Sequence, residues 1–272
     1  MTINCKGQLI DLSSPKVMGI LNITPDSFYD GGLYKSEKDI LLQTEKMLNE
    51  GATFIDIGAY SSRPNAEHIS ETLELKRILP IIELLVNRFP ETNISIDTFR
   101  SFVARQCIEA GAALINDISA GLMDDNMLLT IAQLNVPYIM MHMKGTPQNM
   151  QQQTNYNDLL KDIIFYFSER ITEARTHKIN DLIIDPGFGF SKNLKQNYEL
   201  LNKLELIKNL DLPLLVGLSR KSMIYKSLDI TPQESLNGTT ILNTLALTKG
   251  ATILRVHDVK EAMECIALTN QL

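Results

Sequence analysis

The sequence predicts a single-domain α/β protein with a (β/α)8 TIM barrel, on three observations. Short apolar runs rich in Val and Ile alternate with longer segments of helical periodicity, and this alternation occurs eight times along the chain. Most of the runs lack period-two alternation, as expected for parallel strands that are covered on both faces. The length of 272 residues is close to the roughly 250 that such a barrel takes. An open, doubly wound parallel sheet is the alternative arrangement.

The eight apolar runs are the predicted barrel strands. They are Val17–Ile23, Thr53–Gly58, Ile94–Asp97, Ala113–Asp117, Val136–His142, Leu182–Asp185, Leu214–Gly217 and Thr252–Val256. Residues 1–15 precede the first run, and we expect them to form a small hairpin over the bottom of the barrel. No linker rich in Pro, Gly or Ser divides the chain, so residues 1–272 are predicted to form one domain.

Five of the intervening segments show a clear helical pattern of apolar residues. They are Asp39–Glu50, Ser101–Ala110, Asn157–His177, Glu234–Thr248 and Asp258–Thr269. Ser36 is expected to cap the first of these helices, and Gly51 follows its end. Ser101 is expected to cap the second, which Gly111 follows.

Composition and charge exclude several classes of function. Lys plus Arg total 26 and Asp plus Glu total 32, a net charge of −6, whereas a duplex-binding protein normally has a basic excess. We therefore expect no nucleic-acid partner. No apolar run approaches the roughly 18 residues of a membrane span, and no signal peptide is apparent. The cysteines Cys5, Cys107 and Cys265 are widely spaced, which predicts free thiols in a reducing cytoplasm and no zinc site.

Polar residues stand at the end of every predicted strand, where the active sites of such barrels lie. These residues are Asn22, Asp56, Asp97, Asn116, Asp117, His142, Asp185, Ser219, Arg220, Lys221, Arg255 and His257. Taken singly, most have a purely structural explanation, such as a helix cap for Asp97 or a buried structural histidine for His142. Arg255 interrupts an apolar run and needs a partner if it is buried. The whole set indicates a binding site more strongly than any member does.

Three loops add to this inventory. Residues 22–32 (NITPDSFYDGG) form a long loop rich in turn formers, and residues 59–66 (AYSSRPNA) place hydroxyls beside an arginine, which suits an anionic group. Residues 185–190 (DPGFGF) combine glycines, which allow close backbone approach, with aromatic faces. Met140, Met141 and Met143 suit contact with a flat ring through sulfur, although for a methionine cluster alone core packing is the better explanation. A flat heterocycle that carries a phosphate group fits these residue types. Neither a GxGxxG motif nor a P-loop is present.

At these residues the sequence resembles the dihydropteroate synthase family of pterin-binding TIM barrels. The matching segments are GILNITPDSFYDGG (19–32), DIGAYSSRP (56–64), SIDT (95–98), INDI (115–118), MHMKG (141–145), DPGFGFSK (185–192), GLSRKS (217–222) and RVHDV (255–259). They occur in the family's order, one at each predicted strand end, and the resemblance runs from about Val17 to the C-terminus.

The resemblance implies a reaction and a set of site residues. A dihydropterin that carries a methylene diphosphate condenses with 4-aminobenzoate, which releases pyrophosphate and gives 7,8-dihydropteroate. The family implies pterin binding by Asp97, Asn116, Asp185 and Lys221. Met140 is predicted among the substrate-binding residues from its residue type. The family implies that Arg255 stacks on the pterin and binds pyrophosphate with His257, and that Asn22 ligates Mg²⁺. Ser62, Arg63, Phe190, Ser219 and Ser222 are expected near the second substrate. Asp97, Lys221 and Arg255 are the predicted catalytic residues, and the family also implies a homodimer.

The second loop departs from the family pattern. Many members have Glu–Ser–Thr–Arg–Pro–Gly there, whereas this chain has Tyr60 in place of the glutamate and Asn65 in place of the glycine. Two alternatives to a working synthase therefore stay open at this point. One is a pterin-dependent methyltransferase that shares the barrel, and the other is a non-catalytic pterin-binding paralogue.

Overall fold

A computed structural model describes residues 1–23, 36–61 and 68–272 of the chain. The strands in these ranges are β1 (Thr2–Cys5), β2 (Gln8–Asp11), β3 (Lys16–Asn22), β4 (Phe54–Gly58), β5 (Asn93–Asp97), β6 (Leu114–Asp117), β7 (Tyr138–Met141), β8 (Leu182–Asp185), β9 (Leu215–Val216) and β10 (Ile253–Val256). The α-helices are α1 (Glu37–Asn49), α2 (Glu71–Arg88), α3 (Ser101–Glu109), α4 (Met127–Leu134), α5 (Leu159–Thr176), α6 (Leu194–Asn202), α7 (Ser222–Leu228), α8 (Leu236–Thr248) and α9 (Val259–Thr269). Two 3₁₀ helices cover Met150–Gln152 and Leu204–Leu210.

The parallel strands β3 to β10 form a barrel. Their order is β8-β7-β6-β5-β4-β3-β10-β9, so each strand pairs with its neighbour in sequence and β10 returns to β3. The remaining gap, between β8 and β9, is closed by a bridge between Ile184 and Leu214 and by a hydrogen bond from the Ile184 amide to the Pro213 carbonyl (3.0 Å). The predicted TIM barrel is confirmed, and the open-sheet alternative is wrong.

The lower half of the barrel interior is apolar. Alternate positions of the strands point inward and pack into one cluster, which contains Met18, Phe54, Leu114, Ile139, Ile183, Leu215 and Ile253. Strands β1 and β2 pair as an antiparallel hairpin, and Ile3, Cys5 and Leu12 from this segment join the same cluster. The predicted N-terminal hairpin is thus confirmed, and it covers the end of the barrel opposite the carboxyl ends of the strands.

The helices begin near the predicted positions, with one difference in capping. The Ser36 side chain accepts a hydrogen bond from the Asp39 amide and caps α1 as predicted. At α3 the capping residue is Arg100, and Ser101 is the first helical residue. The Ser101 amide donates instead to Asp124 (2.7 Å), so a carboxylate from the next βα loop satisfies the helix end.

No helix in the described part of the chain is long and apolar enough to cross a membrane. Cys5, Cys107 and Cys265 are free and buried.

On the outer side of the barrel, a buried carboxylate ties the β6 loop to β7. Asp117 is fully buried and accepts hydrogen bonds from the Ser119 amide and hydroxyl (2.7 Å each), the Gly121 amide (2.8 Å) and the Tyr138 hydroxyl (2.6 Å). Burial raises the pKa of Asp117, and these four donors act against that rise. The loop that follows Asn116 is therefore held from outside the barrel.

Replacing Tyr138 with Phe removes one of these donors from a buried carboxylate. We expect the free energy of unfolding to fall by about 1–3 kcal/mol, because Asp117 keeps its burial and loses a partner. In a protein of this size this corresponds to a Tm lower by about 2–4 °C for each kcal/mol. Scanning calorimetry measures it. Tyr198→Phe is the matched control, since the Tyr198 hydroxyl bonds the Met223 carbonyl from a partly exposed side chain. Equal losses in the two variants would contradict the role of Asp117.

Candidate active site

A cavity of about 350 Å³ opens at the carboxyl ends of the strands. The predicted site residues that line it are Asn22, Asp97, Asn116, Asp185, Phe190, Ser219, Lys221, Ser222, Arg255 and His257. Lining residues outside the predicted set include Ile20, Tyr60, Ser61, Ile118, Met141, Met150, Phe188 and Gly217. Ser62 and Arg63 belong to residues 62–67, which lie outside the described part of the chain, as does most of the 22–32 loop.

Strand alternation explains which side chains reach the cavity. Ile139 and Met141 of β7 share the inward face, whereas Tyr138 and Met140 face the helices. Met140 is fully buried in the outer core together with Tyr138, and it does not line the cavity. The methionine at this wall is Met141, one residue later, so the structure corrects the prediction of Met140 by one position.

An ionic network lies between the apolar layer and the cavity. Arg255 donates to Asp56 through Nε (2.6 Å) and to Asp97 through Nη2 (3.0 Å). Asp56 is fully buried and also accepts from the Ser95 hydroxyl (2.5 Å) and the Asn116 amide nitrogen (3.1 Å). Arg255 was predicted to need a partner if buried, and its main partner is Asp56. The sequence placed Asp56 among the polar residues at strand ends, but the family resemblance gave it no role at the site.

The loop after β8 forms a second wall. The Gly187 amide donates to Asp185 Oδ1 (2.8 Å), so Asp185 both closes a tight turn and faces the cavity. Gly187 has a φ of +71°, and a Cβ there would collide with the His142 carbonyl oxygen. This turn directs the Phe188 carbonyl at the Lys221 ammonium, which also lies 5.0 Å from the centre of the Phe190 ring.

The segments after β9 and β10 are joined to each other. Ser219 Oγ lies 3.0 Å from His257 Nδ1 and accepts from the His257 amide (3.2 Å). Arg220 has a φ of +54° and pairs with Asp258 through both Nε and Nη2 (2.8 Å each). These contacts join Ser219, which was predicted near the second substrate, to His257, which was predicted to bind pyrophosphate.

Burial and mutual contact shift the pKa values of the charged groups at the site. Burial raises the pKa of Asp97, and the neighbouring Arg255 opposes this rise. Burial also raises the pKa of Asp185, and there Lys221 opposes the rise. Burial disfavours the charged form of Arg255, yet Asp56 and Asp97 raise its pKa above the ordinary value. Burial lowers the pKa of Lys221 to about 8, against the opposing effect of Asp185. The protonation of each charged group on the floor of the cavity thus depends on the charge of its neighbours.

Tyr60 forms part of the remaining wall. Its hydroxyl lies 3.1 Å from His68 Nδ1 and accepts from the Gln148 amide (2.8 Å), and its ring packs edge-on against Phe99. The polar contacts at this position, where many family members have glutamate, are therefore made by a phenol. Nothing in the sequence signalled the contact with Gln148, which lies 88 residues away.

The predicted Mg²⁺ site can be tested against its donor chemistry. The described residues contain no group of three or more His, Cys, Asp or Glu side chains that could hold a metal. Mg²⁺ commonly keeps several waters and takes one or two protein oxygens together with substrate phosphates. The side chain of Asn22 at the cavity mouth offers one such oxygen, so the residues present fit a metal that arrives with a diphosphate.

Comparison with known proteins identifies the family. The family model described as "Pterin binding enzyme" matches residues 18–257. Dihydropteroate synthase of Escherichia coli strain K12 is 44% identical over 268 residues, which cover 98% of this chain and 94% of that protein. The chain belongs to the dihydropteroate synthase family. Its Bacillus subtilis relative is 42% identical over 247 residues, or 90% of this chain and 84% of that protein.

Solved structures of the dihydropteroate synthase family superpose closely on this chain. The Yersinia pestis enzyme in complex with a sulfonamide drug gives a TM-score of 0.96 at 43% identity and covers 100% of this chain and 98% of its own. The Xanthomonas albilineans enzyme with 4-aminobenzoic acid gives 0.91 at 36% identity and covers 99% and 97%.

The lowered pKa of Lys221 has a measurable consequence. Its value of about 8 lies below the ordinary 10.5, so between these pH values the unfolded chain binds a proton that the folded chain has lost. The free energy of unfolding should therefore gain a contribution that rises with pH across this window. In NMR spectra of isotope-labelled lysine, one side-chain signal should titrate near pH 8 and be absent from Lys221→Met.

The control for this titration is Lys195→Met, because Lys195 is exposed on α6. That variant should keep the signal that titrates near pH 8. If the signal removed by Lys221→Met titrates near 10.5 instead, burial does not govern the charge of this residue.

Proposed function

We propose that this protein condenses (7,8-dihydropterin-6-yl)methyl diphosphate with 4-aminobenzoate to give 7,8-dihydropteroate and pyrophosphate. The observation that carries the proposal is the cavity, where hydrogen-bonding groups for a flat heterocycle lie beside Arg255 and His257, which suit a diphosphate. A pterin-binding protein that does not react with a diphosphate would not need this second set of groups.

The pterin is proposed to bind on the floor of the cavity. Asp185, Asn116 and Lys221 supply acceptor and donor groups from three different strand ends, which suits the mixed donor and acceptor edge of a pterin. Asp97 is paired with Arg255. A pterin that donates to Asp97 would replace this contact and free the Arg255 guanidinium to stack on the ring while Nε stays on Asp56.

The diphosphate is proposed to lie toward the mouth, near Arg255, His257 and Asn22. Mg²⁺ held by Asn22 and the diphosphate would supply charge neutralisation to the leaving group. Arg255 and His257 would also stabilise the leaving group, since they can donate hydrogen bonds to the departing oxygens as negative charge accumulates there. Departure leaves positive charge on the pterin, and the partly buried carboxylate of Asp97 stabilises that charge more than it stabilises the neutral substrate.

The second substrate is proposed to approach from the wall formed by Phe190, Ser219 and Ser222. An arylamine is a weak nucleophile, so it needs positioning and the exclusion of water more than it needs a strong base. Ser62 and Arg63 are proposed to complete this subsite. We further propose a homodimer that acts in the cytoplasm on small-molecule substrates, with no nucleic-acid partner.

The reaction itself is the first test. Purified protein is mixed with the dihydropterin diphosphate and Mg²⁺, and pyrophosphate release is measured with and without 4-aminobenzoate. Release that depends on 4-aminobenzoate, with an equal amount of dihydropteroate, is the expected result. Tight pterin binding with no product would overturn the proposal in favour of a non-catalytic paralogue or a methyl-transfer enzyme.

Arg255→Ala should abolish turnover and leave the fold in place. The substitution removes the cation proposed to hold both ring and diphosphate. Asp56 keeps its bonds to Ser95 and Asn116 but loses its cationic partner, so the Tm should fall while the barrel still forms. Turnover and the circular dichroism spectrum are measured together. The matched control is Arg88→Ala at the end of α2, where the arginine side chain is 63% exposed. Unchanged turnover in Arg255→Ala would rule out this assignment of the diphosphate subsite.

A further inference from the structure

Beneath the cavity lies a buried lysine that the proposed reaction does not use. Lys192 follows the loop after β8, precedes α6 and is 3% exposed. Its Nζ lies within hydrogen-bond distance of three acceptors: the Gly187 carbonyl (2.9 Å), the Phe190 carbonyl (3.0 Å) and His142 Nδ1 (3.0 Å). A lysine ammonium has three N–H donors, so these partners use its whole capacity.

The third acceptor requires a neutral histidine. His142 is 1% exposed, and burial together with Lys192 and Lys144 lowers its pKa to about 2. The ring is therefore uncharged across the working pH range, and its contact with Lys192 assigns the proton to Nε2 and the lone pair to Nδ1. Burial also lowers the pKa of Lys192, and Asp185 opposes that shift.

The two carbonyls held by Lys192 belong to the turn that forms a wall of the site. Gly187 and Gly189 both have positive φ, and this backbone path points the Gly187 and Phe190 carbonyls toward Lys192. The Phe188 carbonyl between them points the other way and accepts from Lys221. Gly189 and Phe190 line the cavity directly. Carbonyls on opposite sides of one short turn are thus held by two different lysines.

Other contacts anchor the ends of this turn, and the Gly187 carbonyl also accepts from the Phe190 amide (3.1 Å). Asn197 accepts from the Gly189 amide (2.7 Å) and donates to the Lys192 carbonyl (3.1 Å). The Ser191 hydroxyl accepts from the Lys144 amide (2.7 Å) and donates to the Lys144 carbonyl (3.0 Å). With Lys192 removed, the turn stays attached, but the Gly187 carbonyl, the Phe190 carbonyl and His142 Nδ1 each lose a donor.

We propose that Lys192, with neutral His142 as its third acceptor, is a positioning residue for the reaction. It fixes the turn 187–190 so that the Phe188 carbonyl orients the Lys221 ammonium and Phe190 presents its ring to the substrates. This proposal rests on the proposed function for its reaction, and on the contacts above for its geometry. Lys192 acts through Lys221 and Phe190 and does not touch substrate.

The first test is Lys192→Met, which keeps an unbranched side chain of similar length and removes the donors. We expect kcat/KM for the dihydropterin diphosphate to fall roughly 10- to 100-fold, the effect of misplacing a binding group by about 1 Å. The Tm will also fall, so turnover is measured well below it and per folded molecule. The control is Lys195→Met, three residues later and exposed, which should behave like the unmodified protein. An unchanged kcat/KM in Lys192→Met overturns the proposal, because a purely structural lysine would alter Tm alone.

A second pair of variants decides the matter if Lys192→Met does not fold. His142→Asn places an amide oxygen near the position of Nδ1 and keeps an acceptor, whereas His142→Leu removes it. We expect His142→Leu to lose more kcat/KM than His142→Asn, and equal losses would overturn the proposal. In ¹⁵N spectra of labelled histidine, His142 of the unmodified protein should show an unprotonated Nδ1.

Failure of this proposal can be told apart from failure of the proposed function. Titration calorimetry with the dihydropterin diphosphate measures binding without turnover. If the unmodified protein binds it without forming product, the proposed function fails, and weaker binding by Lys192→Met still supports the positioning role. Equal affinity in the two proteins, at equal folded fraction, overturns that role.

Discussion

The ion pair between Arg255 and Asp56 sits at the boundary between the two halves of the barrel interior. Below it lie the apolar side chains that fill the lower barrel, and above it lies the cavity. An arginine and a fully buried aspartate are costly to desolvate, and the cost is offset only when each has further partners. Ser95 and Asn116 provide them for Asp56, and Asp97 does so for Arg255. The positions of Asn116 and Asp97, two of the groups proposed to touch the pterin, therefore depend on this pair.

Around that pair, the site is assembled from strand ends and held by contacts that cross between loops. Arg220 and Asp258 join the segments after β9 and β10, Asp117 holds the β6 loop from outside, and Lys192 holds the turn after β8. Most of these are charged groups in places of low exposure, where one missing partner leaves a whole charge uncompensated. The barrel scaffold sets the approximate positions of the site residues, and these polar contacts set their orientation.

Much of this could be predicted from the sequence. The eight strands and the position of the cavity followed from apolar runs and the polar residues that end them, because parallel strands gather their carboxyl ends on one face. Helix α2 was not among the five specified helices, and it carries Pro80 in its interior. The prediction of Met140 at the cavity wall was one residue off, because composition does not show which residues of a strand face inward. A shift of one residue moves a side chain to the opposite face of the strand. The contacts of Asp56 with Arg255 and of Tyr60 with Gln148 join residues 199 and 88 positions apart, beyond the reach of any local pattern.

The closure of the barrel between β8 and β9 differs from its other seams. The backbone there contributes a single bridge, and β9 is two residues long. Just above that bridge, the Lys221 ammonium reaches from the β9 loop to the Phe188 carbonyl on the β8 loop. A side chain thus supplies the cross-link that the ladder of main-chain hydrogen bonds lacks at this seam. An ammonium has three N–H donors, so Lys221 can keep the Phe188 carbonyl while another N–H reaches a ligand, and one side chain then serves both the seam and the site.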